Sequence, residues 1–214
     1  MRSNRDFARR TLPLYAFLTV ASWAGSATAQ VREVVVGITP TCPYGLTACW
    51  AGAYEALGRM EGVESVEKTP NAYTCSAEVH MKGGGLPDPD RWASQFKAMV
   101  DQAYHFRGVE VTVSGDVERA ENGLVMRVPG VEKPIALGPL RQKIQLNPKK
   151  RVIRQPEPDE RDAYEQVMSK VKADDKSGRK VQVTGPLTKS DKGYALEIRE
   201  FFPRSEEAQT PPKE

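Results

Sequence analysis

Between Val34 and Val66 the apolar pattern changes period twice, and that change constrains the fold more than any other feature of the chain. Val34 to Ile38 is an apolar strand, followed by a loop holding Cys42 and Cys49. Ala51, Tyr54, Ala56, Leu57 and Met60 then recur at helical spacing. Gly62 ends that helix, and a second strand begins at Val63. After the turn Pro70-Asn71-Ala72, Tyr73 to Met81 reads as a strand with Cys75, Ala77, Val79 and Met81 on one face. Gly83-Gly84-Gly85-Leu86-Pro87 is a flexible loop. Asp88 or Asp90 can cap the next helix, with Pro89 in its first turn. Trp92, Phe96, Met99, Val100 and Tyr104 mark its apolar stripe. Val109, Val111 and Val113 form the next strand. The order strand, helix, strand, strand, helix, strand predicts a ferredoxin-like split motif over residues 30–115, an α+β fold.

The rest of the chain repeats itself. Val111 to Val128 aligns without gaps on Val181 to Ile198, so that Gly115 matches Gly185 and Gly123 matches Gly193. Each copy reads as a strand, a glycine kink, a polar hairpin and a second strand. Between them lie a short strand around Pro134 to Leu140, a proline-rich stretch, and a helix from about Pro158 to Ala173. That helix takes Asp159 as its cap and Ala163, Tyr164, Val167, Met168 and Val171 as its apolar face. Curled hairpins with one helix predict a small OB-like β-barrel over residues 116–203. Val109 to Ser114 is expected to serve both domains, with no flexible linker between them. Residues 204–214 are charged and proline-rich and are expected to be a disordered tail.

Residues 1–29 have the pattern of an export signal. Arg2, Arg5, Arg9 and Arg10 precede a largely apolar stretch from Leu12 to Ala24, and Ala27-Thr28-Ala29 is a small-x-small cleavage site. The alternative is an uncleaved membrane anchor, since Thr11 to Ala29 as a helix would span about 28 Å. A periplasmic or extracytoplasmic location is expected either way. The whole chain holds 31 Lys and Arg against 28 Asp and Glu; without four arginines and one aspartate of the signal, 27 of each remain. A near-neutral mature chain argues against nucleic acid as the partner. The cluster Lys149-Lys150-Arg151 with Arg154 reads as a solvated loop.

The layout from Val34 to Val66, two cysteines entering a helix that ends at Gly62-Val63, resembles the heavy-metal-associated domain of copper chaperones and metal-pumping ATPases. The resemblance covers about residues 31–115. It implies that the loop end of the domain is the metal end, where two cysteines separated by two residues hold a soft cation. Counted back from Gly62-Val63, Cys49 stands at the second cysteine position. Leu46 stands where the first would be, and Tyr44 takes the place of a usual methionine. The metal motif is therefore degenerate.

In a ferredoxin-like fold Cys42, Cys49 and Cys75 all fall at one end of the sheet. An oxidising compartment favours a disulfide, between Cys42 and Cys49 or between Cys75 and either of them. The alternatives are a three-thiolate site for copper or zinc and unpaired buried cysteines. His80 should point away from Cys75, and His105 sits at a helix end, so both are expected to be structural. Asp88/Asp90 and Asp174/Asp175 look like caps or solvated loops. Gly83-Gly84-Gly85 lacks the lysine of a phosphate loop. With no catalytic constellation and no small-molecule substrate in view, the expected function is a non-enzymatic accessory subunit without a cofactor. It would dock on the periplasmic face of a membrane complex, for example an electron-transfer or photosynthetic one. Tyr44, Leu46 and Trp50, as exposed apolar residues at the loop end, are its expected contact patch. The alternative function is a periplasmic metal-binding protein.

Overall fold

The computed structural model describes residues 31–171 and 179–203. Residues 1–29, expected to be an export signal, Asp174/Asp175 and the expected tail 204–214 lie outside the described residues. The fold is mixed α+β, mostly sheet, with three α-helices among the described residues. None of these helices is long and apolar enough to cross a membrane.

The first elements are β1 (Val31–Pro40), α1 (Trp50–Gly58), β2 (Val63–Val66), β3 (Ser76–Met81), α2 (Pro89–Val100) and β4 (Tyr104–Ala120). They form antiparallel pairs in the sheet order β4-β1-β3-β2. Val34, Val36 and Ile38 of β1 are fully buried with Leu57 of α1 and Trp92 and Phe96 of α2. Asp88 caps α2: its carboxylate accepts the Arg91 N–H at 3.1 Å, and Pro89 occupies the first turn, where no N–H is required. Trp92 donates its indole N–H to Glu61 O at 3.0 Å, locking α2 beneath the end of α1.

Two local expectations are corrected. The buried face of α1 is Trp50, Ala53, Ala56 and Leu57, with Ala51 and Tyr54 exposed, because the helix starts at Trp50 and turns that face inward. The third strand begins at Ser76 rather than Tyr73. The Asn71 side chain accepts the N–H groups of Tyr73 at 3.0 Å and Thr74 at 3.3 Å, so those residues turn instead of extending. Cys75 completes the turn at a φ of +50°.

The remaining elements are β5 (Gly123–Arg127), β6 (Ile135–Pro139), β7 (Leu146–Asn147), β8 (Val152–Ile153), α3 (Pro158–Lys170), β9 (Arg179–Ser190), β10 (Gly193–Ile198) and β11 (Glu200–Pro203). Five strands close a ring in the order β4-β5-β6-β10-β9 and back to β4; β6 and β10 run parallel and the other neighbours antiparallel. The sequence repeat becomes a local two-fold relation. Val113 pairs with its own counterpart Val183, Val111 pairs with Gly185, and Gly115 pairs with Val181. The two matched glycines do the same work. A Cβ on Gly115 would lie 2.3 Å from Arg127 O, and one on Gly185 would lie 1.7 Å from Glu197 O, where Arg127 and Glu197 are themselves repeat counterparts. At each point a strand passes directly over the return strand of its own hairpin.

The cap of α3 also differs from expectation. Glu157 and Glu160 form a reciprocal capping box, and Asp159 lies inside the first turn. The short β7–β8 ladder was not foreseen, since two residues per strand carry no period.

β4 runs unbroken across residues 115 and 116. It pairs with β1 from Tyr104 to Val113 and with β9 from Val109 to Val117. The segment before β7 lies on the face of β1 and β4 opposite Val36 and Ile38. There Ile144 O would stand 2.9 Å from a Cβ on Gly37, and Ile144 Cγ2 would stand 3.4 Å from one on Gly108. A buried ionic chain adds to this seam. Lys143 donates to Glu160 at 2.7 Å, Arg199 forks onto both oxygens of Glu110 at 2.9 and 3.0 Å, and Arg199 lies 3.6 Å from Glu160. Burial works to raise the Glu160 pKa, but the Lys143 hydrogen bond, the Glu157 N–H and Arg199 outweigh it and hold the carboxyl below its usual range. Burial likewise works to lower Arg199, and Glu110, Glu200 and Glu160 together keep it above the ordinary arginine value.

Candidate functional site

Three loops converge at one end of the sheet: residues 41–49, 70–75 and 147–152. The first is pinned at both ends. Thr41 donates its N–H and its hydroxyl to Ala103 O, each at 3.0 Å. At the other end Cys49 occupies the N-cap of α1, and its carbonyl accepts the Tyr104 hydroxyl. Cys42 and Cys49 form a disulfide across this loop. Of the three pairings that spacing allowed, the structure contains this one.

Cys75 is a free thiol, 3 % exposed, at the same end. Burial pushes its pKa up against the opposing pull of Arg107, so the thiol is protonated and unreactive at neutral pH. Arg107 holds the turn around it. Its guanidinium donates to Thr39 Oγ1 at 2.6 Å, Cys75 O at 2.7 Å, Ile144 O at 2.8 Å and Thr74 O at 3.1 Å. Among the described residues no carboxylate pairs with it, and burial pushes its pKa down to about 10, with Cys75 acting the other way. Arg107 therefore remains a cation that gathers three carbonyls and one hydroxyl from three separate segments. No sequence expectation included it, although an arginine inside the apolar run from Tyr104 to Val113 was a visible signal.

The expected contact residues separate. Tyr44 stands 82 % exposed at the loop tip, between Pro43 and Gly45. Leu46 at 3 % and Trp50 at 9 % belong to the core, which corrects the expectation that they are exposed. Trp50 packs under its own loop and donates its indole N–H to Lys68 O at 2.7 Å. A second exposed aromatic, Tyr73, is 80 % accessible on the neighbouring loop, and it falls outside the expected contact patch because the alternation from Tyr73 to Met81 reads as a strand.

The third loop brings the basic cluster to the same place. Arg154 donates to Tyr73 O at 2.8 Å, Arg151 to Pro40 O at 3.3 Å, and Leu146 N–H to Thr74 O at 2.9 Å. Cys42, Pro43, Cys75, Pro148 and Arg151 line a small cavity of about 70 Å³ between the three loops.

For a soft cation the donor set does not fit in this oxidised form, because two of the three cysteines are joined and a thiolate is the ligand. Among the described residues no group of three or more His, Cys, Asp and Glu side chains converges. His80 pairs with Glu67 at 3.1 Å on the surface. His105 is exposed and borders an open groove of about 420 Å³ with Phe96, Lys97, Asp101 and Tyr104. Asp88, besides capping α2, pairs with Lys189 of β9 at 2.6 Å; that bond leads the causes holding its pKa below the usual range.

No protein-family model matches the chain, and comparison with curated proteins and with solved structures likewise finds no match.

Proposed function

We propose that this chain is a non-enzymatic, exported binding protein, an accessory subunit that docks on the periplasmic face of a membrane complex through its disulfide-pinned loop end. The observation that carries this reading is Tyr44. It is held 82 % exposed on a loop whose other large apolar residues, Leu46 and Trp50, are buried and whose two ends are tied down. A rigid, outward aromatic has little to recommend it in an isolated protein, whereas interfaces favour such anchors. The buried ionisable groups support the non-catalytic part of the reading, since Lys143, Glu160, Arg199 and Glu110 satisfy one another. We also read residues 31–115 as a ferredoxin-like domain of degenerate heavy-metal-associated type and the five-strand ring with α3 as OB-like. The sheet order β4-β1-β3-β2 and the parallel β6–β10 pair support those assignments.

The test is a photo-crosslinking amino acid at position 44, introduced into the full chain in its native cells. A discrete adduct with one membrane-complex subunit is the expected result. Absence of any adduct, together with full solubility of the protein after membrane washing, would refute docking. Native intact mass addresses the alternative metal-binding function. The reading predicts a gain of about 2 Da on reduction and no bound copper or zinc. A stoichiometric metal on free thiols would make the alternative the correct function.

A further inference from the structure

The loop end carries a charge pattern as well as an aromatic one. Residues 39–49, 68–77 and 142–156, which build it, contain no aspartate or glutamate. Lys149, Lys150, Arg151 and Arg154 are all exposed there. Among the described residues none of the four pairs with a carboxylate, and the side chains of Lys149 and Lys150 make no hydrogen bond. Outside residues 1–29 the chain carries 27 basic and 27 acidic side chains, so this is a local concentration of charge in a balanced molecule. The two arginines are held in place without being used up. Each gives one N–H to a backbone carbonyl, of Pro40 or of Tyr73, and a guanidinium has five. What remains is a planar fork suited to a carboxylate. Tyr44 and Tyr73, 82 % and 80 % exposed, flank the basic hairpin.

We propose that this end recognises an acidic protein segment, with Lys149, Lys150, Arg151 and Arg154 pairing its Asp and Glu side chains and Tyr44 and Tyr73 supplying the apolar anchors. The inference rests on the docking reading above and adds the chemistry of the partner. Tyrosine and arginine held rigid beside each other are the residue types that interface centres favour, because they bring contact area at low entropic cost. The overall charge balance disfavours a nucleic acid, which rewards a broad positive field.

The probe is a short fluorescein-labelled Glu-rich peptide, titrated with the full chain under non-reducing conditions and followed by anisotropy. Binding should weaken about tenfold between roughly 50 and 200 mM salt, as expected for partly screened charge pairs. The variant Lys149→Glu/Lys150→Glu should weaken it by at least about tenfold. Both side chains are exposed and, among the described residues, make no hydrogen bond or ion pair, so circular dichroism of that variant should match wild type and separate lost binding from misfolding. Lys82→Glu/Lys192→Glu, with Lys82 after β3 at the sheet end opposite the three loops and Lys192 in the β9–β10 hairpin, should bind as wild type does. Unchanged affinity in Lys149→Glu/Lys150→Glu overturns the proposal. So does tighter binding of phosphatidylglycerol vesicles or of a single-stranded oligonucleotide through the same lysines. The position-44 crosslink separates the two readings. An adduct that survives charge reversal leaves docking standing and removes the acidic partner, and an adduct lost on charge reversal supports both.

Discussion

Gly185→Ala should be among the most destabilising single-methyl additions this fold can receive. The added Cβ would lie 1.7 Å from Glu197 O, 2.9 Å from Glu197 C and 3.1 Å from Arg199 N. All three are backbone atoms, so no rotamer change relieves the clash. Reaching ordinary contact requires β9 and the end of β10 to part by about 1.5 Å, taking roughly 3.2 Å as the limit for carbon against oxygen. The hydrogen bond from Arg199 N–H to Thr184 O, 2.9 Å long, spans the same gap. Val183 and Ile198, both fully buried, would lose packing with it. Overpacking at about 1–3 kcal/mol plus a lost bond at about 1 kcal/mol gives a cost of about 3 kcal/mol. Urea unfolding of the full chain, followed by far-ultraviolet circular dichroism, measures it. Gly115→Ala, with its clash at 2.3 Å against Arg127 O, should be costly in the same manner. Gly138→Ala in β6 of the same ring meets nothing within 4 Å and should stay within about 0.5 kcal/mol of wild type. A Gly185→Ala protein as stable as Gly138→Ala would refute the close crossing and the local two-fold relation built on it.

Removing the disulfide with Cys42→Ala/Cys49→Ala should cost about 2.5 kcal/mol, the loop-closure entropy for cysteines seven residues apart. Urea unfolding reads that loss, and reductant should then destabilise wild type but not the variant; equal stability of wild type and variant without reductant would contradict it. Stability should also fall with acid. Glu160 and Asp88 both have pKa values lower in the folded than in the unfolded state. Their contribution is therefore complete above the unfolded value and is lost as pH drops through the folded one, below about pH 5. Glu160→Gln should flatten that acid limb and, by leaving Lys143 buried and unpaired, cost about 3–5 kcal/mol, while Glu160→Leu/Lys143→Leu should cost less. A pH profile unchanged by Glu160→Gln would show that the pair is not coupled to folding.

The period changes that open the chain survive in the structure because strand and helix there bury opposite patterns of side chains, and nothing local competes. Where a local competitor exists, periodicity misleads. Asn71 captures two N–H groups and delays β3 by three residues, although Tyr73 and Thr74 are good strand formers. Glu157 out-competes Asp159 as a cap only because Glu160 answers it across the first turn. The cysteine pairing was open because all three cysteines reach the same end, and a choice among them depends on loop geometry that spacing does not encode. Arg107 stands out in the sequence, but its partners do not, for a different reason. Its acceptors lie on three segments far apart in the chain, at Thr39, at Thr74 and Cys75, and at Ile144, so its full set of bonds exists only after the second half of the chain has folded over β1 and β4.

That dependence bears on how the loop end can work. Residues 41–49 and 70–75 come from the first half of the chain, and 147–152 from the second. Arg107, Arg151 and Arg154 all bond across this seam, and β4 carries the backbone through it without a break. The spacing between Tyr44, Tyr73 and the basic hairpin is thus set by the same contacts that hold the two halves together. A fragment ending at residue 115 would retain both tyrosines. It would lack the four cations as well as the Ile144 carbonyl and the Leu146 N–H, and these help fix the turn at Thr74 and Cys75. The partner surface we propose is therefore a property of the joined chain, and severing the halves should abolish recognition even where each half keeps its strands.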